Sequence, residues 1–129
     1  MHADALVIKD RKIENTEARE IAGEFLYEHK VCDYFRTEYN GRLFSGNKER
    51  IKFKNISKSF DVGIIPIIII NSEGDIEESV IPSEFWEFYN FEDIRKELLA
   101  KYQVAYSLLF NKFLIDYADF DAILMDYHV

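Results

Sequence analysis

The hydrophobic and polar positions change period several times along the chain, and these changes predict its elements. Residues 6–8 form a short apolar run that predicts a strand or an ordered arm near the N-terminus. Apolar positions over residues 18–29 then recur at spacings of three and four, which is typical of an amphipathic helix. Asn15 or Thr16 provides a side-chain oxygen that can cap this helix. We expect the helix to end between residues 36 and 40.

The period changes to two between residues 41 and 60. Basic positions alternate with Ile51 and Phe53, so the segment predicts a half-buried strand at a sheet edge, with its cations on the exposed face. Basic residues on an edge strand also discourage aggregation between edges. The cations of this strand are Lys48, Arg50, Lys52 and Lys54.

Residues 63–70 contain six isoleucines and predict a strand that is covered on both faces. Pro66 cannot donate a hydrogen bond to a neighbouring strand, so we expect the paired part to begin at Ile67. The turn residues at 71–75 predict a hairpin that returns through residues 76–81. Glu78 then falls on an apolar face, which indicates a β-bulge, an exposed edge or a carboxylate available to a partner.

The strongest helical pattern begins after Asn90, a candidate N-cap, and its apolar stripe continues to Tyr117 for about five turns. The tail, residues 116–129, mixes aspartates with apolar residues and predicts a short final helix with an acidic outer face. Together the elements predict an α+β fold. It has an N-terminal helix, a small and mostly antiparallel sheet in the middle, a long C-terminal helix and a short terminal helix.

Length and composition favour one globular domain over residues 1–129, with 48% hydrophobic residues to fill its core. No internal repeat or Pro- and Ser-rich linker marks a domain boundary. Cys32 is the single cysteine, so we expect no internal disulfide and a cytoplasmic location. The N-terminus has no signal-peptide pattern, and the longest apolar run is shorter than the ~20 residues of a membrane span.

The two halves of the chain carry opposite net charge. Residues 1–60 hold twelve Lys and Arg against ten Asp and Glu, a net charge of +2. Residues 61–129 hold four against fourteen, a net charge of −10, and the two halves sum to −8. Uncompensated negative charge on one half costs self-repulsion, so either solubility or a basic partner explains it. We favour a basic partner.

Catalytic and metal chemistry have little support in this sequence. His29 and Cys32 continue the apolar stripe of the first helix, so we interpret them as core residues and not as a catalytic pair. No spacing of His and Cys indicates a zinc site. Pairs of neighbouring carboxylates leave a small metal-dependent hydrolase as an alternative function. Those pairs are Asp119 with Asp121, and Glu77 with Glu78.

A second alternative is a nucleic-acid-binding module that uses the basic strand at residues 42–58. Its candidate stacking aromatics are Phe44, Phe53 and Phe60. The sequence pI of about 4.9 argues against this function, because binding to a polyanion depends on neutralisation by many cations.

Protein recognition fits the sequence better, because carboxylates and aromatic residues are mixed over residues 73–92 and 116–127. Aromatic side chains provide buried contact area, while surrounding acids steer a basic partner. The solubility of the chain is the competing explanation for many of the acids. The candidate partner-binding residues are Glu73, Asp75, Glu77, Glu78, Glu84, Trp86, Glu87, Tyr89, Asp116, Asp119, Asp121 and Asp126.

In this overall profile the chain resembles bacterial toxin-immunity proteins, particularly those of contact-dependent growth inhibition systems. The resemblance covers the whole chain as a small, acidic α+β domain and involves no diagnostic motif. It implies tight binding to a cognate toxin domain, frequently a cytoplasmic nuclease that acts on tRNA or DNA. Nuclease clefts are basic, so a surface rich in carboxylates matches them. We assign no catalytic residue, metal ligand or cofactor to such an inhibitor.

Overall fold

The computed structural model describes residues 2–44, 46–56, 63–82 and 92–129. In this part of the chain six strands form one mixed sheet, and one α-helix packs on each of its faces. The elements in chain order are β1 (His2–Lys9), α1 (Asn15–Glu28), β2 (Tyr34–Phe35), β3 (Arg50–Lys52), a 3-10 turn (Phe53–Asn55), β4 (Ile67–Ile70), β5 (Ile76–Val80), α2 (Glu92–Asp116) and β6 (Asp121–His128). The sheet order is β2-β6-β1-β4-β5, with β3 paired to the same edge of β6 as β2.

The central strands come from the two ends of the chain. β1 pairs antiparallel with β6 over eight residues, from His2 opposite His128 to Lys9 opposite Asp121. On its other side β1 pairs parallel with β4, where Leu6 lies opposite Ile67. The sheet is therefore mostly antiparallel, as predicted, but it is assembled around the N-terminal strand.

Both faces of the sheet are buried, which explains the uninterrupted apolar runs in β1 and β4. Successive residues of a strand point to opposite faces, so Ala5 and Val7 of β1 pack beneath α1, while Leu6 and Ile8 pack beneath α2. The α1 side is completed by Ala18, Ala22 and Leu26, and the α2 side by Tyr106 and Phe113. The sheet is thus the middle layer of three.

The predicted hairpin is confirmed in its position. A β-bulge, which was one of the three explanations for the position of Glu78, is also present. β4 begins at Ile67, and the carbonyl of Pro66 accepts a hydrogen bond from the Leu6 N–H at 2.8 Å. The register of β4 and β5 shifts between Ile69 and Ile70. Because of this shift, Ile69 lies opposite Glu78, which therefore faces α2.

The first element is a strand, and the first helix is shorter than predicted. α1 ends at Glu28 instead of between residues 36 and 40. Lys30 adopts a left-handed conformation with φ of 59°, and its N–H bonds to the carbonyl of Tyr27 at 3.0 Å. The N–H of Val31 bonds to the carbonyl of Leu26 at 2.9 Å. These two bonds form a Schellman motif, which most often has glycine where this chain has lysine.

The predicted terminal helix is wrong, because the tail forms the central strand β6. Its apolar residues point alternately to the two sides, with Ile123 and Met125 beneath α1 and Leu124 beneath α2. An apolar run that is buried on both faces has no diagnostic period, so its strand character depends on pairing with β1. The long helix α2 is confirmed, whereas its predicted N-cap, Asn90, lies outside the described residues.

Arg19 of α1 fills a gap at the sheet edge where β2 ends and β3 has not begun. Its Nε donates a hydrogen bond to the carbonyl of Leu124 in β6 at 2.8 Å, and its Nη1 donates to the carbonyl of Thr37 at 3.3 Å. The guanidinium is buried, and this desolvation lowers its pKa. Arg19 therefore satisfies backbone acceptors that a continuous neighbouring strand would satisfy. No helix in the described part of the chain is long and apolar enough to cross a membrane.

Candidate protein-binding surface

The β4–β5 turn holds two of the predicted carboxylates in a fixed geometry. The Asn71 side-chain oxygen accepts hydrogen bonds from the backbone N–H groups of Glu73 and Asp75, both at 3.0 Å. Gly74, with φ of 82°, adopts the left-handed conformation that the turn requires. The side chains of Glu73 and Asp75 are exposed, and neither forms an ion pair in the described part of the chain.

This turn lies against α1. A Cβ atom placed on Gly74 would be 3.6 Å from Cδ1 of Ile21, an ordinary van der Waals distance. Residues three and four apart share a face of a helix, so Glu17, Glu24 and Glu28 lie on the same side of α1 as Ile21. All three glutamates are exposed, as is Glu20 on the neighbouring outer face.

The acidic side chains of the turn and of α1 therefore adjoin one another. We call the set that consists of Glu17, Glu20, Glu24, Glu28, Glu73 and Asp75 the acidic surface. Glu77 follows it along β5 and lies close to Tyr117, whose pKa it helps to raise. The sequence pattern predicted Glu73, Asp75 and Glu77. It did not predict the contribution of α1, because the contact of Gly74 with Ile21 brings together segments about fifty residues apart in the chain.

The two glutamates of β5 have different environments. Glu77 is exposed beside the bulge. Glu78 faces α2, where one of its oxygens accepts a hydrogen bond from the Tyr117 hydroxyl at 2.6 Å and the other lies 3.6 Å from Lys112 Nζ. Burial, followed by the hydrogen bond to Glu78, raises the pKa of Tyr117. Glu78 therefore joins the sheet edge to α2 and is less available to a partner than Glu77.

Asp119 and Asp126, two of the predicted aspartates of the C-terminal segment, are paired with cations. Lys54 Nζ lies 3.3 Å from the exposed carboxylate of Asp119. The carboxylate of Asp126 lies 3.1 Å from His2 Nδ1 and 3.6 Å from Arg36 Nε. These contacts hold β6 to its neighbours, so the two groups of predicted partner-binding acids do not form one surface.

Among the predicted site residues that the structure describes, Asp121 is the most buried. Its Oδ2 lies 3.6 Å from Lys9 Nζ and 3.6 Å from Arg50 Nη1. Lys9 is fully buried and also donates a hydrogen bond to the carbonyl of Ile13 at 2.6 Å. Burial lowers the pKa of Lys9, and the charge of Asp121 partly opposes this effect. The sequence pattern did not predict the burial of Lys9, because a lysine at the end of an apolar strand usually reaches solvent.

Charge is consequently polarised across the sheet. β3 and the 3-10 turn after it carry Arg50, Lys52 and Lys54 at one edge, while β5 at the opposite edge carries Glu77. The predicted basic edge strand is confirmed in type, although its paired part spans only Arg50–Lys52. Its cations neutralise aspartates of β6 and of the loop before it. The carboxylates of the acidic surface form no ion pair in the described part of the chain.

A shallow depression of about 570 Å³ lies beside the C-terminal end of α1. It shares Glu28 with the acidic surface and is bordered by Tyr27, whose side chain is exposed. The depression is lined by Tyr27, Glu28, Lys30, Val31, Cys32, Asp33 and Val129. A partner that contacts the acidic surface thus meets a concave region at one end of it.

Other predicted residues are exposed, buried or outside the described part. Asp116 is exposed at the end of α2. Cys32 is buried in the core, as predicted, and burial raises the pKa of its thiol. His29 is not a core residue: it is exposed, and its Nδ1 lies 2.8 Å from the carbonyl of Phe25. Glu84, Trp86, Glu87 and Tyr89 lie outside the described residues.

The geometry also bears on the alternative functions. Phe44 and Phe53, the proposed stacking residues of the basic strand, are buried in the core beneath α2 and cannot contact nucleic acid there. Phe60 lies outside the described residues. Asp119 and Asp121, the proposed metal ligands, each pair with a different cation. The described residues contain no group of three or more His, Cys, Asp and Glu placed to hold a metal ion.

Comparisons with known proteins add no further assignment. No protein-family model matches the chain, and no match was found among the curated proteins or the solved structures.

Proposed function

We propose that this protein is an inhibitor that binds and neutralises a basic toxin domain, as the resemblance to immunity proteins implies. The toxin is a nuclease in this proposal, and binding covers its active-site cleft or an adjacent surface. The acidic surface makes the principal contact.

One observation carries the proposal: the exposed carboxylates of α1 and of the β4–β5 turn lie side by side and form no ion pair within the described part of the chain. Like charges so arranged repel one another and cost a few tenths of a kcal/mol per helical pair. A basic partner converts this repulsion into attraction and accelerates encounter between the two proteins. Nuclease clefts present cations toward phosphate groups, so they have the matching charge.

Some of the predicted carboxylates are less available to the toxin than others. Asp121, Asp126 and Glu78 already have internal partners at hydrogen-bond or ion-pair distances. Their removal is expected to affect folding more than binding. Glu73, Asp75 and Glu77, together with the glutamates of α1, are the expected contacts for the toxin.

The test uses the product of the gene adjacent to the one that encodes this chain, as purified toxin domain. We expect a one-to-one complex and loss of the nuclease activity of that product. Reversing charge with Glu73→Lys and Asp75→Lys together is expected to raise the dissociation constant of the complex at least about tenfold. Binding is measured by calorimetry, and the nuclease activity is measured on tRNA and on DNA.

Asp119→Lys is the matched control, because this carboxylate is equally exposed but lies in the basic region beside Lys54. It is expected to change affinity much less than the turn variant. Equal loss of affinity in the two variants would show that net charge alone matters. A neighbouring gene product that is not a nuclease, or that forms no complex, would overturn the proposed function.

A further inference from the structure

Helix α2 has a second apolar face that points away from the sheet. Val104, Leu108 and Ile115 are 63%, 66% and 80% exposed, although each is a large aliphatic residue. They lie on the opposite side of the helix from Tyr106 and Phe113, which are buried against the sheet. This face is separate from the acidic surface, which lies on the α1 side.

The positions on this face have the spacing of a coiled-coil seam. Val104, Leu108, Asn111 and Ile115 follow one another at intervals of four, three and four residues, which is a heptad repeat of a and d positions. The same spacing continues toward the N-terminus through Lys101 and Glu97, which form an ion pair at 3.2 Å. We call the set Glu97, Lys101, Val104, Leu108, Asn111 and Ile115 the α2 seam.

The flanks of the α2 seam favour close approach of another helix. Ala100, Ala105 and Ser107 border it, all of them exposed and small. Small residues beside an apolar stripe let a second helix axis approach without displacing long side chains. A helix that only covers a sheet needs one apolar stripe. The second stripe, which contains Val104, Leu108 and Ile115, therefore indicates contact with another molecule.

We propose that the α2 seam binds the α2 seam of a second copy of this chain, with the two helices antiparallel. In this arrangement Leu108 of each copy packs on Val104 of the other, and Lys101 of each copy lies opposite Asn111. The ammonium group of lysine donates hydrogen bonds and the amide oxygen of asparagine accepts them, so the polar layer is satisfied. The contact is isologous, as a two-fold dimer requires.

The polar residues of the seam argue against a parallel arrangement. Parallel helices in register place Lys101 against Lys101 and Glu97 against Glu97, so like charges meet at the interface. Antiparallel helices also place opposite ends of their dipoles side by side. The register that joins Leu108 to Val104 avoids both penalties. It places Glu97 opposite Ile115 at each end of the contact, where Glu97 keeps its ion pair with Lys101.

The α2 seam and the acidic surface differ in net charge. The seam and its margins carry Lys101 and Lys112 together with Glu97 and Asp116, a balanced set, whereas the acidic surface carries carboxylates alone. A balanced, self-complementary seam fits another copy of the same chain better than it fits a strongly basic protein.

Sedimentation velocity over a range of concentrations tests the dimer in the free, full-length protein. We expect the wild-type chain to form a reversible dimer, and we expect Leu108→Glu to raise the dimer dissociation constant at least about tenfold. Tyr27→Glu is the control, because it also adds charge at an exposed apolar residue but lies on α1. Circular dichroism is expected to show an unchanged fold for both variants, since both sites are exposed.

Disulfide trapping tests the antiparallel register. A mixture of Val104→Cys and Leu108→Cys chains is expected to cross-link faster than Leu108→Cys alone, and Gln103→Cys, on the helix flank, is the non-linking control. The native Cys32 is buried and does not compete.

A wild-type chain that stays monomeric at high micromolar concentration would overturn the dimer, as would a dimer that Leu108→Glu leaves intact. Faster cross-linking of Leu108→Cys alone would overturn the antiparallel register. The dimer does not depend on toxin binding, so either proposal can fail without the other.

Discussion

At the scale of single residues, Lys9 and Asp121 form a buried ion pair. Both residues are buried, and they lie opposite each other in β1 and β6. Desolvation of a buried charge is compensated only while its partners remain, and Lys9 has two acceptors, Asp121 and the carbonyl of Ile13. Breaking the pair leaves a buried carboxylate with one fewer cation.

We therefore predict that Lys9→Met lowers the free energy of unfolding by roughly 3 kcal/mol, within the range for a broken buried ion pair. Lys12→Met, an exposed lysine of the following turn, is the control and is expected to change stability little. Urea denaturation measures both. In a double-mutant cycle, adding Asp121→Asn to Lys9→Met is expected to cost less than the sum of the single changes. Strict additivity would contradict a direct interaction.

Asp4 gives a prediction with a definite pH dependence. It lies directly opposite Asp126 across the two central strands, and desolvation, aided by Asp126, raises its pKa. A raised carboxyl pKa means that the folded state resists ionisation. Ionised Asp4 therefore lowers the stability of the folded state. This loss of stability is complete at neutral pH and disappears as the pH falls below the unfolded pKa of about 3.9.

Asp4→Asn is therefore expected to stabilise the protein at pH 7 and to have a smaller effect near pH 3. Asp33→Asn is a control of opposite sign, because the hydrogen bond from His128 lowers the pKa of Asp33. That variant is expected to be less stable than wild type at neutral pH, with the difference lost in acid. Thermal unfolding across this pH range measures both, and a pH-independent effect of Asp4→Asn would contradict the explanation.

At the scale of elements, the end of α1 shows how a local conformation can be hidden from sequence patterns. Lys30 occupies a left-handed position that glycine favours. We predict that Lys30→Gly stabilises the protein by about 0.5–1 kcal/mol, because glycine adopts positive φ without strain. Lys30→Ala removes the same charge but does not relieve the strain of a positive φ. It therefore distinguishes an effect of the backbone from an effect of the lost charge. Urea denaturation is the measurement, and an equal gain in both variants would rule out a backbone effect.

Elements with a clear period were predictable, as was the isoleucine-rich strand β4, but the central strand β6 was not. The spacing of three and four identified α1 and α2, and the turn residues around Gly74 identified the hairpin, whereas its bulge was one of three explanations for the position of Glu78. β6 was predicted as a helix, because its aspartates among apolar residues mimic an amphipathic pattern. Only pairing with β1, more than a hundred residues away, decides its conformation.

At the scale of the whole molecule, the charge asymmetry of the sequence does not map directly onto two faces. The acidic half supplies Glu73, Asp75 and Glu77 at the β5 edge of the sheet, and it supplies Asp119 and Asp121 near the opposite edge, where β3 pairs with β6. The mostly basic half supplies the glutamates of α1, which join the acidic surface through the contact of Ile21 with Gly74. The charge count of the two halves therefore predicted an acidic surface. It pointed to the acidic residues of the second half of the chain and not to the glutamates of α1.

The acidic surface leads to a kinetic prediction for the proposed complex. Steering by exposed carboxylates acts over about one Debye length, ~10 Å at 0.1 M salt, so the association rate constant should fall as ionic strength rises. Neutralising Glu73, Asp75 and Glu77 to Gln, Asn and Gln is expected to flatten this dependence and to change the dissociation rate much less. Asp119→Asn is the control, since that carboxylate pairs with Lys54 at 3.3 Å near the opposite edge of the sheet. Stopped-flow measurements with the purified toxin domain give both rates. An association rate that does not respond to salt would show that the toxin is recognised without electrostatic steering, even if the complex is tight.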